Sequence, residues 1–229
     1  MHVPDGFFNA GTSVAAGAVA AGTVTVCLKK ASAELNDSAA PLAGLTAAFV
    51  FALQMLNFPV ASGTSGHLLG GTLAAVLVGP WAGTLCVALV LFVQALLFAD
   101  GGLTALGLNV VLIAIVPAFV GFAVFRLLRR ALPANPGAVV GASGFAALVS
   151  VPTAAAVFAV LYGIGGAVDL SFGALLGAMV GVHVLVGIGE GLITAAVVSA
   201  VVATRPDLIY GATDLRYRPV TARGAAVAP

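Results

Sequence analysis

Residues 174–203 read ALLGAMVGVHVLVGIGEGLITAAVVSAVVA, a stretch of thirty residues with one carboxylate, Glu190, and one imidazole, His183. As a helix it would rise roughly 45 Å at 1.5 Å per residue, more than the ~30 Å of a bilayer's hydrocarbon. A run of this length and composition is a membrane span, and it sets the fold class for the rest of the chain. Working outward, apolar runs of spanning length recur at 10–28, 41–58, 82–99, 104–126 and 137–163. A shorter run, 67–79, closes on Gly79-Pro80 and makes a seventh. The sequence therefore predicts an all-α, polytopic membrane protein of about seven transmembrane helices. Pro117 and Pro152 fall inside runs and are expected to kink them, and Leu132-Pro133 with Asn135-Pro136 breaks the chain before 137.

Composition agrees. The 229 residues are 61% hydrophobic and 7% charged, where a soluble domain carries about 25% charged residues. The 29 glycines suit close helix packing in lipid. A net charge of +1 argues against a nucleic-acid partner. Cys27 and Cys86 lie in apolar runs and form no CxxC, so neither a disulfide framework nor a thiolate cluster is implied. No G-x-x-x-x-G-K-[ST] loop occurs, so any ATP hydrolysis must come from partners.

Basic residues set the orientation. Lys29 and Lys30 follow the first run, Arg126, Arg129 and Arg130 close the fifth, and Arg205, Arg216, Arg218 and Arg223 follow the seventh. Seven spans put all nine on the cytoplasmic side, with the N-terminus, the 59–66 loop, Asp100 and Asp169 outside. No internal repeat or second domain is visible. Residues 1–204 are expected to form one transmembrane domain, and 205–229 a short cytoplasmic tail.

The N-terminus carries the most specific chemistry. It reads Met1-His2-Val3-Pro4-Asp5-Gly6. Residues 1–30 lack a basic n-region and end in Lys29-Lys30, unlike a cleavable signal. Because His2 is large, Met1 is expected to be retained. A histidine at position 2 brings the Met1 amine, the deprotonated His2 amide and the His2 imidazole within reach of one ion, closing five- and six-membered chelate rings. A planar set of nitrogens suits Ni(II) or Cu(II). One in-plane position stays open, and the other histidines are His67 and His183. His67 follows Gly63-Thr64-Ser65-Gly66 on the same outer face, which makes it the expected fourth ligand. Segment 1–9 is thus a metal-binding segment with Met1, His2 and His67 as ligands.

Other polar residues are read more plainly. His183 and Glu190 are seven apart on one helix face and are taken as structural or as orienting a ligand. Asn57, beside the 59–66 loop, and Ser65, within it, are candidates to support the site. Gln54, Gln94 and Asn109 are expected to glue helices, and Asp5 to form an Asp-Gly turn. Ala16/Ala20 and Gly17/Ala21 in the first run form a small-residue face, open either to a partner or to internal packing. A different class is also conceivable: Gly63-Thr64-Ser65-Gly66 matches the G-x-S-G of rhomboid intramembrane proteases, with Ser65 as nucleophile and His183 as base. It leaves Met1-His2 unexplained and separates serine and histidine by roughly 12 Å of depth.

The opening Met1 to Phe7 (MHVPDGF) resembles the MHIPDGFL start of the CbiM/NikM family, the substrate-binding membrane subunits (S-components) of cobalt and nickel energy-coupling-factor transporters. Phe51–Pro59 (FALQMLNFP), Gly63–Gly71 (GTSGHLLGG), Ala99–Gly107 (ADGGLTALG), His183–Gly191 (HVLVGIGEG) and Arg205–Leu208 (RPDL) match as well, in order, across essentially the whole chain. One departure is Asn109-Val110, where many members carry an asparagine–methionine pair. The resemblance implies a transported Ni(II) or Co(II), no covalent cofactor, and no enzyme activity of the chain's own. It also implies assembly in the cell membrane with a membrane coupling (T) subunit, two ATP-binding subunits and, in some assemblies, a small accessory membrane subunit. A facilitator working without ATPases is the alternative within transport.

Overall fold

The structure is a computed structural model that describes residues 2–34, 39–56, 58–59, 65–212 and 215. It is a bundle of helices: α1 (Ala10–Glu34), α2 (Ala39–Gln54), α3 (Gly71–Val78), α4 (Pro80–Leu97), α5 (Leu106–Asn109) continuing through a π turn (Val110–Ile115) into α6 (Val116–Ala131), α7 (Pro136–Gly165) and α8 (Phe172–Thr204). A two-residue antiparallel pairing, β1 (Phe58–Pro59) with β2 (Ser65–Gly66), lies between α2 and α3. Among the described residues, five helical stretches are long and apolar enough to cross a membrane, and α2 is a shorter apolar helix. Leu56, Leu97, Leu127, Leu185 and Leu192 are exposed, as lipid-facing side chains should be.

Helix α3 departs from the expected span. Its eight residues rise only ~12 Å and all are buried. The chain in front of it, His67–Gly70, is buried, lies outside any helix or strand, and turns at Gly70 with φ 75°. Gly79, at φ 88°, ends α3 beside the Tyr210 ring, and Pro80 starts α4 at a position where no backbone N–H is needed. The two helices then fold against each other so closely that a Cβ on Gly83 would overlap the backbone at Ala74 and Ala75.

The prolines act locally. Pro117 lacks the N–H that would bond back to residue 113, and the π turn that immediately precedes it takes up the irregularity. Pro152 lies within α7. There the Leu148 carbonyl is met by Gly187 of α8, whose Cβ would sit 2.8 Å from that oxygen. Gly144 and Gly191 face each other the same way, each blocking a Cβ on the other. These glycines let α7 and α8 pack antiparallel at backbone contact and hold Glu190 at a fixed height. Asn135 caps α7 by accepting from Ala138 N at 2.9 Å.

Along α1, Ala16 and Ala20 are buried, and a Cβ on Gly107 of α5 would overlap Gly17. That part of the small-residue face packs internally. After α8, residues 206–212 make two 3-10 turns whose Ile209 and Ala212 join the core around Leu73, Val76 and Phe125.

Candidate metal centre

The N-terminal segment enters the protein. Val3 is 1% exposed and Phe8 is buried. Phe8 bridges Gly166, Asn9 N–H donates to Gly165 O at 2.8 Å, and Ala167 N–H donates to Phe7 O at 3.1 Å. Phe7 and Phe8 pack on Phe158 and Tyr162 of α7. Four apolar rings thus anchor the segment on α7, and its polar atoms are met from α4 and α5.

Asn109 does most of that. Its Oδ1 accepts Val3 N–H at 2.7 Å and its Nδ2 donates to Val3 O at 3.2 Å, as a neighbouring strand would. Gly102 N–H also donates to Val3 O, at 2.9 Å. Asp5 makes the expected turn, with Gly6 at φ 76°, and its carboxylate accepts from the backbone and hydroxyl of Thr104. Those bonds hold the Asp5 carboxyl below the usual carboxylate range. Asp5 is therefore a tether.

His2 is gripped at both ring nitrogens by the end of α4. Its Nε2 lies 3.2 Å from Gln94 Oε1 and its Nδ1 3.2 Å from Asp100 Oδ1. Burial outweighs the pull of Asp100 and pushes the imidazole down to about 4, so the ring is neutral at pH 7 and can offer a lone pair.

His67 arrives from the other side. Its ring centroid is 4.5 Å from that of His2, with the planes 28° apart. His67 Nδ1 faces Leu68 O at 2.8 Å. A carbonyl only accepts, so Nδ1 carries the proton and Nε2 the lone pair, the arrangement of a histidine prepared to ligate. His67 was expected at the outer surface. It is 3% exposed, because the non-helical segment that carries it is buried. Glu190 of α8 accepts Leu69 N–H at 2.6 Å on one oxygen and Gly70 N–H at 2.9 Å on the other. Gln54 of α2 donates to Leu69 O at 2.7 Å. Gly70 turns at φ 75° against Val50, where no Cβ would fit.

Of the sequence candidates, His2 and His67 come together. Met1 and Asn57 lie outside the described residues, and Ser65 is described only as backbone in β2. His183 is 7% exposed, and its Nδ1 donates to Met179 O of its own helix at 2.7 Å. Gln54, Gln94 and Asn109 do more than glue helices, since each bonds the N-terminal segment or the His67 segment. Their signal in the sequence was that an amide in a span needs a partner, but which backbone it meets is set by tertiary placement. Among the described residues, no three His, Cys, Asp or Glu side chains converge as a cation site. An ion held here needs backbone or terminal nitrogens as well as the two imidazoles.

Relatives carry the same organisation. A protein of Archaeoglobus fulgidus, provisionally named a fused nickel transport protein NikMN, is 42% identical over 213 residues, covering 91% of this chain and 68% of that one. The cobalt transport protein CbiM of Sorangium cellulosum is 35% identical over 228 residues, 96% of this chain and 99% of that one. A crystal structure of a truncated transition metal transporter superposes with a TM-score of 0.81 at 32% identity, covering 89% of this chain and 99% of that one. A family model described as the cobalt uptake substrate-specific transmembrane region, CbiM, matches residues 2–208. A multi-pass bundle with its N-terminal histidine folded onto an internal one, matched over nearly its whole length, is thus a membrane component of cobalt and nickel uptake and no enzyme: the chain belongs to the CbiM family.

Proposed function

We propose that this protein is the S-component of an energy-coupling-factor transporter and captures a Ni(II) or Co(II) ion at the outer face through four nitrogens: the Met1 amine, the His2 amide, His2 Nδ1 and His67 Nε2. The observation that carries this reading is the contact between His2 and His67, 65 positions apart in sequence and 4.5 Å apart as rings. The tautomer of His67 supports it, since the Leu68 carbonyl holds the proton on Nδ1 and leaves the lone pair on Nε2. Asn57, Ser65 and His183 are supporting residues in this account. Capture strips the ion of water, and release requires the N-terminal segment to part from His67. ATP-driven import then needs a membrane coupling subunit and two ATP-binding subunits, with a small accessory membrane subunit in some assemblies.

The same account places the N-terminus outside and the C-terminus in the cytoplasm. The non-helical 65–70 segment with α3 makes the third of seven crossings, and 205–229 is the tail. Metal analysis of the protein purified with an untagged N-terminus tests the reading. One nickel or cobalt per chain is the expected result, and a metal-free protein at saturating ion would contradict it.

A further inference from the structure

At the end of α4 the backbone is bent to bring a carboxylate to His2. Ala99 takes φ 52°, the one positive φ at a non-glycine residue among those described, and Gly101 follows at φ 95°. Non-glycine residues rarely adopt that region, and when held there they mark a position the surroundings impose. Asp100 N–H bonds back to Gln94 O at 3.1 Å, which closes the bend. On Gly101 a Cβ would sit 3.0 Å from Asn109 Nδ2 and 3.2 Å from His2 Cδ2, so the loop lies flat against both. The outcome is Asp100 Oδ1 at 3.2 Å from His2 Nδ1, with Gln94 Oε1 at 3.2 Å from Nε2.

That arrangement sets two acceptors, Gln94 Oε1 and Asp100 Oδ1, around a ring with one proton. With the proton on Nε2, donating to Gln94, the Nδ1 lone pair faces a carboxylate. With it on Nδ1, the Nε2 lone pair faces the Gln94 oxygen, while Gln94 Nε2 is buried without a partner. Turning the Gln94 amide satisfies the ion-free ring. A cation at Nδ1 satisfies the arrangement as it stands: Nε2–H to Gln94, and positive charge between Nδ1 and Asp100. Exposure is graded too, from the Asp100 side chain at 31%, through that of His2 at 8%, to His67 at 3%. Asp5, the other nearby carboxylate, is already bonded to Thr104.

We propose that Asp100 is the capture carboxylate of this centre. It rests on the metal-binding reading above and adds a residue to it. The hydrated ion meets Asp100 first, and one water leaves as a carboxylate oxygen takes its place. That bond then breaks as His2 Nδ1 takes the ion into the nitrogen plane, the ring in the bound state carrying its proton on Nε2 against Gln94. Asp100 thus governs how fast the ion enters, and the nitrogens govern how long it stays.

Stopped-flow mixing of the untagged protein in detergent with aqueous nickel chloride, followed by the absorbance of the planar site, tests this. Asp100→Asn keeps the shape and removes the charge. Its association rate should fall about tenfold, the low end of what a focused charge contributes, with dissociation little changed. Asp100→Glu should associate at close to the wild-type rate. Asp169→Asn, a carboxylate lost from the 166–171 loop, should leave association unchanged. Wild-type association in Asp100→Asn, or equal slowing in Asp169→Asn, would overturn the assignment. Should Asp100→Asn fail to fold, Asp100→Ser decides: about tenfold slower association upholds the role, and association at the wild-type rate overturns it. Absence of nickel binding by the wild type would instead strike the metal-binding reading itself.

Discussion

At the residue scale, the proposed site depends on two histidines, and the Leu68 carbonyl directs the proton of one of them, His67. Removing one ring should separate ligation from folding. His67→Ala leaves a three-nitrogen chelate open to water, so nickel retention and uptake should be lost while the protein still inserts. Metal content after desalting, alongside membrane-fraction yield, checks this, and normal uptake would remove His67 from the site. Acid should act through His2. Its folded value, about 4, lies below the unfolded 6.5, so the unfolded chain binds more protons between those values. The contribution of His2 to stability is full above 6.5 and is lost as pH falls toward 4. Metal binding shifts the same way, because amine, amide and imidazoles must all shed protons. Nickel affinity measured across mildly acidic to neutral pH should fall steeply on acidification, and a flat profile would argue for carboxylate ligands. The histidines themselves were legible in the sequence. The amides at Gln54, Gln94 and Asn109 were visible only as polar residues in spans, since their partners lie 15 to 106 positions away.

At the scale of elements, the non-helical 67–70 segment matters more than any helix beside it. A short apolar run ending at Gly79-Pro80 reads as a span from outer surface to cytoplasm, with His67 at its mouth. What periodicity could not convey is that the first third is not helical. A non-helical backbone in a membrane must find partners for its own N–H and C=O groups. Glu190 and Gln54 supply them at Leu69 and Gly70. This is why Glu190, read in the sequence as structural or as orienting a ligand, touches the segment that carries His67. Glu190→Gln turns one acceptor into a donor facing a backbone N–H. A buried donor left unmatched costs about 1–3 kcal/mol, so the ion-free protein should unfold at lower temperature. Nickel affinity should also drop on the order of 10–100-fold, as when a ligand's supporting partner is lost. Calorimetry and equilibrium dialysis of the variant check both, and wild-type affinity in the variant would show that Glu190 does not position His67.

At the scale of the whole molecule, the apolar runs map onto helices nearly one to one, because lipid leaves the backbone few other solutions. Glycine supplies what the runs do not specify: Gly144 against Gly191 and Gly187 against Leu148 fix the register of α7 on α8, and with it the height of Glu190. The approach of His2 to His67 was expected from the chelating motif, but the anchoring of the N-terminal segment on Phe158 and Tyr162 was not, since aromatic residues in a span are ordinary lipid-facing or core side chains. The central claim is that one ion ties a free N-terminus to the third segment. The most direct measurement is nickel uptake by cells holding all partner subunits and a chain with one glycine added before Met1. Gly-Met-His fills all four planar positions by itself, with amine, two amides and one imidazole. The purified variant should therefore still bind nickel, now independently of His67, while uptake is abolished because the ion no longer joins the N-terminus to His67. Uptake at the wild-type rate, still dependent on His67, would show that the Met1 amine is not a ligand and would contradict the account.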